Sequence, residues 1–343
     1  MIIQVLLTSS LSANSSKQKS GINRIIAGPV GPSLILLAIP MIFGLVSILL
    51  INLVDTFYIS LIGVKELVAI SFTFPVTFTL LSFSFSIGIG AAAVISMAIG
   101  EGDHHWVQRL TKGSMILVSL IILVVAGLSY LNLYPIFRLI GASDEFFPLI
   151  EEYMIPWLIG VVFVVIPIVG NSAIRATGDT KTPSIIMVIA AIVNAVLDPI
   201  LIFGYGPFPE MGMRGAATAT VISYISIMID GLWVLGKRER MLTANWPGIA
   251  EILLSCKALL YIGIPAKLTQ LLFPLSNAVL TRIAAELGEA TVAAFGFGTR
   301  IESIAMIGSM ALSSEIIPLL VKIMVLTIST ELKQQAGLFF TLQ

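Results

Sequence analysis

Apolar stretches of about twenty residues recur eight times along this chain, at 33–54, 67–99, 113–133, 155–174, 183–203, 216–235, 258–280 and 292–320, with short polar turns between them. A helix needs about 20 consecutive apolar residues to cross the hydrocarbon of a bilayer. In lipid only a helix or a closed barrel satisfies every backbone polar group, so the pattern predicts an all-α, polytopic membrane protein. Composition agrees, since 57% of residues are hydrophobic and 11% charged, whereas a soluble domain carries about 25% charged residues. The second stretch is 33 residues long and contains Pro75, Gly88 and Gly90. It is expected to be one bent helix that projects past the membrane face rather than two short spans.

Charge and residue usage remove several function classes. Lys+Arg and Asp+Glu number 19 each, so the basic excess of a nucleic-acid binder is absent. The single cysteine, Cys256, cannot form an internal disulfide, and His104 and His105 alone cannot complete a zinc site. No His-Glu-x-x-His run, nucleophile elbow or pair of catalytic carboxylates at useful spacing is found, so no enzyme is expected.

Orientation follows from the basic residues of the connections, because positive loops stay in the cytoplasm. Eleven lie on one side: Lys17, Lys19, Arg24, Arg109, Lys112, Arg175, Lys181, Lys237, Arg238, Arg240 and Lys257. Three lie on the other, Lys65, Arg138 and Arg214. Residues 1–32 are thus a cytoplasmic tail, and the opening Met1 to Leu7 lacks the length and basic flank of a signal peptide. Six spans over 33–236 are followed by a cytoplasmic linker at 237–257, with Trp246-Pro247, and by two spans over 258–320. The setting is the plasma (inner) membrane.

Sliding the chain on itself by 225 residues lays Ile39-Pro40 on Ile264-Pro265, Gly63 on Gly288, and Val68-Ala69 near Val292-Ala293-Ala294. Each segment is a span interrupted early by proline, a Gly-containing outer turn and a Gly-rich second span. Internal repeats of this kind mark secondary transporters, whose halves rock around a central site.

A charge at bilayer depth costs about 2.5–3.5 kcal/mol on insertion scales, which makes a carboxylate inside a span a functional candidate. Asp198 has Asn194 one turn earlier on the same helix face, an arrangement that offers oxygens to a sodium ion or holds a proton. Asp55 closes the first span, as a second member of that site or as an interfacial cap. Asp230 reads as a residue facing the linker. Glu302, near Arg300, is either structural or part of a second polar site. Lys267 and Gln270 follow Pro265 by about a turn, where a kinked helix would open onto a cavity, and the lysine would repel cations. Phe72, Phe74 and Phe78 read as packing before they read as a pocket for flat substrates.

Together these stretches resemble the multidrug and toxic compound extrusion (MATE) family of secondary antiporters, in its DinF-like branch. The resemblance is carried, in family order, by Ala38-Ile-Pro-Met, Asn52-Leu-Val-Asp-Thr-Phe57, Arg175-Ala-Thr-Gly-Asp-Thr-Lys-Thr-Pro183, Asn194-Ala-Val-Leu-Asp-Pro-Ile-Leu-Ile-Phe203, Gly215-Ala-Ala-Thr-Ala-Thr220 and Thr299-Arg-Ile-Glu302. It implies a two-lobe helix bundle of which about eight of twelve membrane helices are present here, and a central cavity of alternating access. It further implies that Asp55, Asn194, Asp198 and, less securely, Thr220 hold the coupling proton or sodium ion, with Lys267, Gln270 and Glu302 as cavity-lining candidates. The expected function is ion-coupled export of amphiphilic, often cationic drugs or toxic metabolites by a monomer with no cofactor. The alternatives are a lipid-linked saccharide flippase of a related family, favoured by a basic cavity, and a non-transporting fragment. The fragment reading rests on residues 321–343. There Val321-Lys-Ile-Met-Val-Leu-Thr-Ile328 stands in place of the family's Gly-Gln-Asn-Tyr-Gly-Ala run and matches an out-of-frame reading of its codons, and a chain so ended is expected to be inactive alone.

Overall fold

A computed structural model describes residues 30–242, 248–299 and 301–302. Every regular element among them is helical: α1 (Val30–Ile62), α2 (Val64–Glu101), α3 (His104–Leu131), α4 (Leu133–Ile140), α5 (Phe147–Ala176), α6 (Lys181–Phe203), α7 (Gly212–Trp233), α8 (Ile249–Glu286) and a helix from residue 289, α9. α7 runs on through a π-helical turn, Val234–Arg238. Six of these helices are long and apolar enough to cross a membrane, and they account for the first six stretches predicted above, the third of which runs two residues past the end of α3. The seventh stretch lies within α8. The eighth begins in α9, whose continuation lies outside the described residues, as do the tail before residue 30, Trp246-Pro247 and residues 321–343.

The long second stretch is one continuous helix of 38 residues with Pro75 inside it. Most helices extend beyond their apolar stretches, although α3 ends two residues short of its own. α1 starts at Val30 rather than residue 33, and α8 starts at Ile249, inside the segment read as linker. Apolar runs mark only the part of a helix that meets lipid; polar turns outside it are held by other contacts. Glu251, in the first turn of α8, pairs with Arg109 of α3. The short helix α4 was not expected. It buries Leu133, Phe137 and Ile140 on one stripe and ends at Gly141 in the left-handed conformation.

α2 and α5 form the inner layer. α1 lies along α6, α6 along α7, and α7 along α5, while α3 covers α2 and α5 and α8 runs beside α2. The large apolar residues of α3 and α6 that face away, such as Leu120, Leu123, Val124, Ile185, Ile192 and Val196, are exposed and form lipid-facing surface.

Small residues let the helices approach closely, as packing in lipid requires. A Cβ added at Gly90 of α2 would lie 2.8 Å from the Leu259 carbonyl oxygen of α8, and one at Gly160 of α5 would lie 2.4 Å from Val221 of α7. A close backbone contact joins α6 to α7: a Cβ at Gly215 would meet the Leu201 carbonyl oxygen at 2.5 Å and the Ile202 nitrogen at 2.8 Å. Backbone cannot give way as a side chain can, so Gly215→Ala is expected to destabilise the chain by about 1–3 kcal/mol. Gly231→Ala, which meets nothing within 4 Å, should leave the detergent melting temperature unchanged or slightly raised.

Candidate functional site

Three neighbouring helices bring polar side chains together inside this apolar bundle. On α6, Asn194 and Asp198 are one turn apart and both 0% exposed. Asp55 of α1 is 3% exposed, well inside the helix, which ends at Ile62. The interfacial-cap reading of Asp55 therefore does not describe its position. Thr220 of α7 is also buried.

The Asn194 side-chain nitrogen donates to Asp55 Oδ1 at 3.1 Å and to Asp198 Oδ1 at 3.2 Å, and Thr220 Oγ1 donates to Asp55 Oδ2 at 2.7 Å. The amide presents its nitrogen because only a donor can face two carboxylates. The four predicted side chains thus form one connected cluster, drawn from positions up to 165 residues apart. Tyr224, one turn after Thr220 on α7, is buried within electrostatic reach of Asp55. Sequence reasoning passed over it, although its spacing from Thr220 was the available signal.

The cluster holds more acceptors than donors. Asp198 Oδ2 and Asn194 Oδ1 are buried and accept no hydrogen bond among the described residues, and the Asp55 and Asp198 carboxyls interact directly. Two ionised carboxylates together away from water repel each other, and a positive charge between them removes the conflict. The oxygen-only donor set fits either a proton or a sodium ion.

The remaining candidates lie elsewhere. Lys267 of α8 is half-buried; it donates to the Thr79 carbonyl at 3.3 Å and to Ser82 Oγ, and its ammonium sits 3.4 Å from the centroid of the Phe83 ring. All of these contacts are with α2, and none is with the Asp55 cluster. Glu302 is exposed. The side chain of Gln270 and all of Arg300 lie outside the described residues. Phe72 is core, packed on Phe146, whereas Phe74 and Phe78 are half-buried and continue to Phe85 as a stack along α2. Phe74 also borders a small cavity between α2, α8 and α9 lined by Ser71, Asn277, Thr281, Phe295 and Thr299.

The MatE family model matches residues 40–200, which contain the α1 and α6 parts of the cluster. The structure of the Vibrio cholerae MATE transporter VcmN in its bent form is 31% identical, superposes with a TM-score of 0.74, and aligns over 88% of this chain and 67% of that one. The chain belongs to the MATE family. Its members are transporters rather than enzymes, and this MATE chain is a multi-pass membrane protein. An outward-facing multidrug resistance MATE transporter of the MOP superfamily gives a TM-score of 0.76 at 27% identity over 88% of this chain and 67% of that one. Among curated relatives, a Shewanella oneidensis protein named FAD transporter is 38% identical over 86% of this chain and 65% of its own length. The Staphylococcus aureus multidrug export protein MepA is 25% identical over 85% of this chain and 64% of its own length. This MATE chain therefore spans a little under two thirds of both curated relatives.

One family stretch is structural here. In Arg175–Pro183, Asp179 accepts the backbone N–H groups of Lys181 at 3.1 Å and Thr182 at 3.0 Å, capping α6, and pairs with Arg238 beyond α7. Burial pushes the Asp179 carboxyl up. The hydroxyl and N–H of Thr182 and the guanidinium of Arg238 outweigh it and hold the group below the usual carboxylate range. A carboxylate held low in the folded state contributes stability that is present above its unfolded pKa and lost as pH falls through the folded value. Arg238→Gln is therefore expected to lower the detergent melting temperature at neutral pH. In acid, where Asp179 is protonated in both chains, the difference should shrink.

Proposed function

We propose that this chain acts as a secondary antiporter of the plasma (inner) membrane, N-terminus in the cytoplasm, in which a proton or sodium ion at Asp55, Asn194, Asp198 and Thr220 drives export of small molecules. The observation that carries this reading is the pair of buried carboxylates from α1 and α6, bridged by one amide and short of donors. A site of that kind binds a cation in one conformation better than in another whenever α1 shifts against α6. Unequal affinity of this sort is what lets an ion drive a conformational exchange. The six membrane-spanning helices of 33–236 form the lobe that holds the ion, and the working unit is a monomer.

For the substrate, amphiphilic and often cationic compounds are the family expectation, and MepA is named as a multidrug exporter. A phosphate-bearing flavin dinucleotide is the second reading. It is favoured by the higher identity to a relative named FAD transporter, 38% against 25% for MepA, and by Lys267, whose ammonium meets no carboxylate among the described residues. That lysine is also the sole support for a lipid-linked saccharide.

Export of flavin adenine dinucleotide and of ethidium from a pump-deficient bacterial host expressing this chain tests the reading. Export that Asp198→Asn removes is the expected result. Export equally strong in Asp198→Asn and Asp55→Asn overturns ion coupling, and export no greater than in the empty host overturns transport by this chain.

A further inference from the structure

Lys267 is an intramembrane cation that the coupling site does not use. It is the nineteenth residue of the 38-residue α8, and Ser82, its partner, is the nineteenth of the 38-residue α2. The two antiparallel helices therefore meet here at their midpoints. The acids of both helices, Glu66, Glu101, Glu251 and Glu286, all stand at helix ends, roughly 24 Å along the axis from Lys267 to Glu251 at 1.5 Å per residue. Among the described residues no carboxylate forms an ion pair with Lys267; the groups it contacts, the Thr79 carbonyl, Ser82 Oγ and the Phe83 ring, are all neutral.

Neutral acceptors fix the direction of the ammonium and leave its charge in place. A charge at this depth is kept where it meets an opposite charge; among the described residues this seam offers none, and the anionic group of a ligand would supply it. The surroundings also specify shape. Phe74, Phe78 and Phe85 share one stripe of α2 beside the seam, with ring centroids 5.8 and 6.4 Å apart. A cation flanked by stacked rings matches a ligand that joins an anionic group to a flat aromatic system.

We propose that Lys267 binds the phosphate of an aromatic, phosphate-bearing anion and so selects that substrate class for passage along the α2–α8 seam. The proposal rests on the transport reading above and assigns the specificity of that activity to one residue.

The test is a fluorescence titration of the purified full chain in maltoside detergent free of phospholipid, with flavin adenine dinucleotide and with riboflavin, which has the same ring system and no phosphate. The parent is expected to bind the dinucleotide about tenfold more tightly than riboflavin, the factor that one charged hydrogen bond supplies. Lys267→Gln should bring that ratio close to one, and Lys267→Arg should keep it. A lysine that only holds α2 to α8 would, on replacement, weaken both ligands alike and leave the ratio intact, which overturns the proposal. A parent without preference overturns it as well. Phosphatidylglycerol added to the micelles separates the two sources of phosphate: Lys267-dependent binding of the lipid without preference between the flavins overturns the aromatic assignment. Asp198→Asn should retain the flavin preference. Should Asp198→Asn leave export untouched while Lys267→Gln erases the preference, the ion-coupling reading fails and the anion site stands.

Discussion

Asn194→Leu is expected to destabilise the folded chain by about 1.5–3 kcal/mol, the usual consequence of removing a neutral hydrogen-bond donor from buried carboxyl groups. Leucine has a similar volume, so packing of α6 against α1 survives and the loss is electrostatic. The asparagine nitrogen serves Asp55 at 3.1 Å and Asp198 at 3.2 Å, and all three residues are buried. Once it is gone, Asp198 loses its amide donor while Asp55 keeps the Thr220 hydroxyl. The detergent melting temperature should fall by on the order of 5–10 °C. Adding Asp198→Asn to Asn194→Leu should restore part of the loss, because a neutral amide then replaces the stranded carboxylate. Additive losses in the double variant, or a single variant that melts with the parent, would show that the amide does not hold the two carboxylates.

Sodium is expected to raise the melting temperature of the parent above its value in choline, and to leave Asp198→Asn unaffected. A ligand that binds the folded site and not the unfolded chain adds about 2.7 kcal/mol at a concentration a hundredfold above its Kd. Asparagine keeps the shape of aspartate and removes the charge that pays for dehydrating the cation, so the sodium response should disappear even where the variant folds normally. Where the coupling ion is a proton, sodium has no effect on either chain. In that case flavin or ethidium added to the parent in weakly buffered detergent releases protons, and added to Asp198→Asn releases none, because antiport links the two ligands reciprocally. A parent that responds to neither ion excludes the cluster as a coupling site.

Much of this molecule is legible in one dimension. Lipid leaves a twenty-residue apolar stretch no state other than a helix, so the six spans from α1 to α7 follow from hydropathy alone. The spacing of Asn194 and Asp198 places them on one face of α6 before any packing is considered. Helix ends were less legible. The first turns of α8 are polar, and what holds them is an ion pair between Glu251 and Arg109, 142 residues away. α4 escaped because eight residues with a buried stripe look, in sequence, like an apolar loop.

The sequence by itself determined a helical membrane protein with carboxylates and a lysine at bilayer depth, since those statements depend only on local composition and on the absence of water. Tertiary structure decided which of these charges meet. Asp55 joins Asn194 across 139 residues and Thr220 across 165, while Lys267 turns to Ser82 and Phe83 instead. Interhelical partners are chosen by the close approach of backbones at residues such as Gly90 and Gly215, where a missing Cβ sets how two helices lie together. That geometry is a property of pairs of helices, and no periodicity within a single helix encodes it.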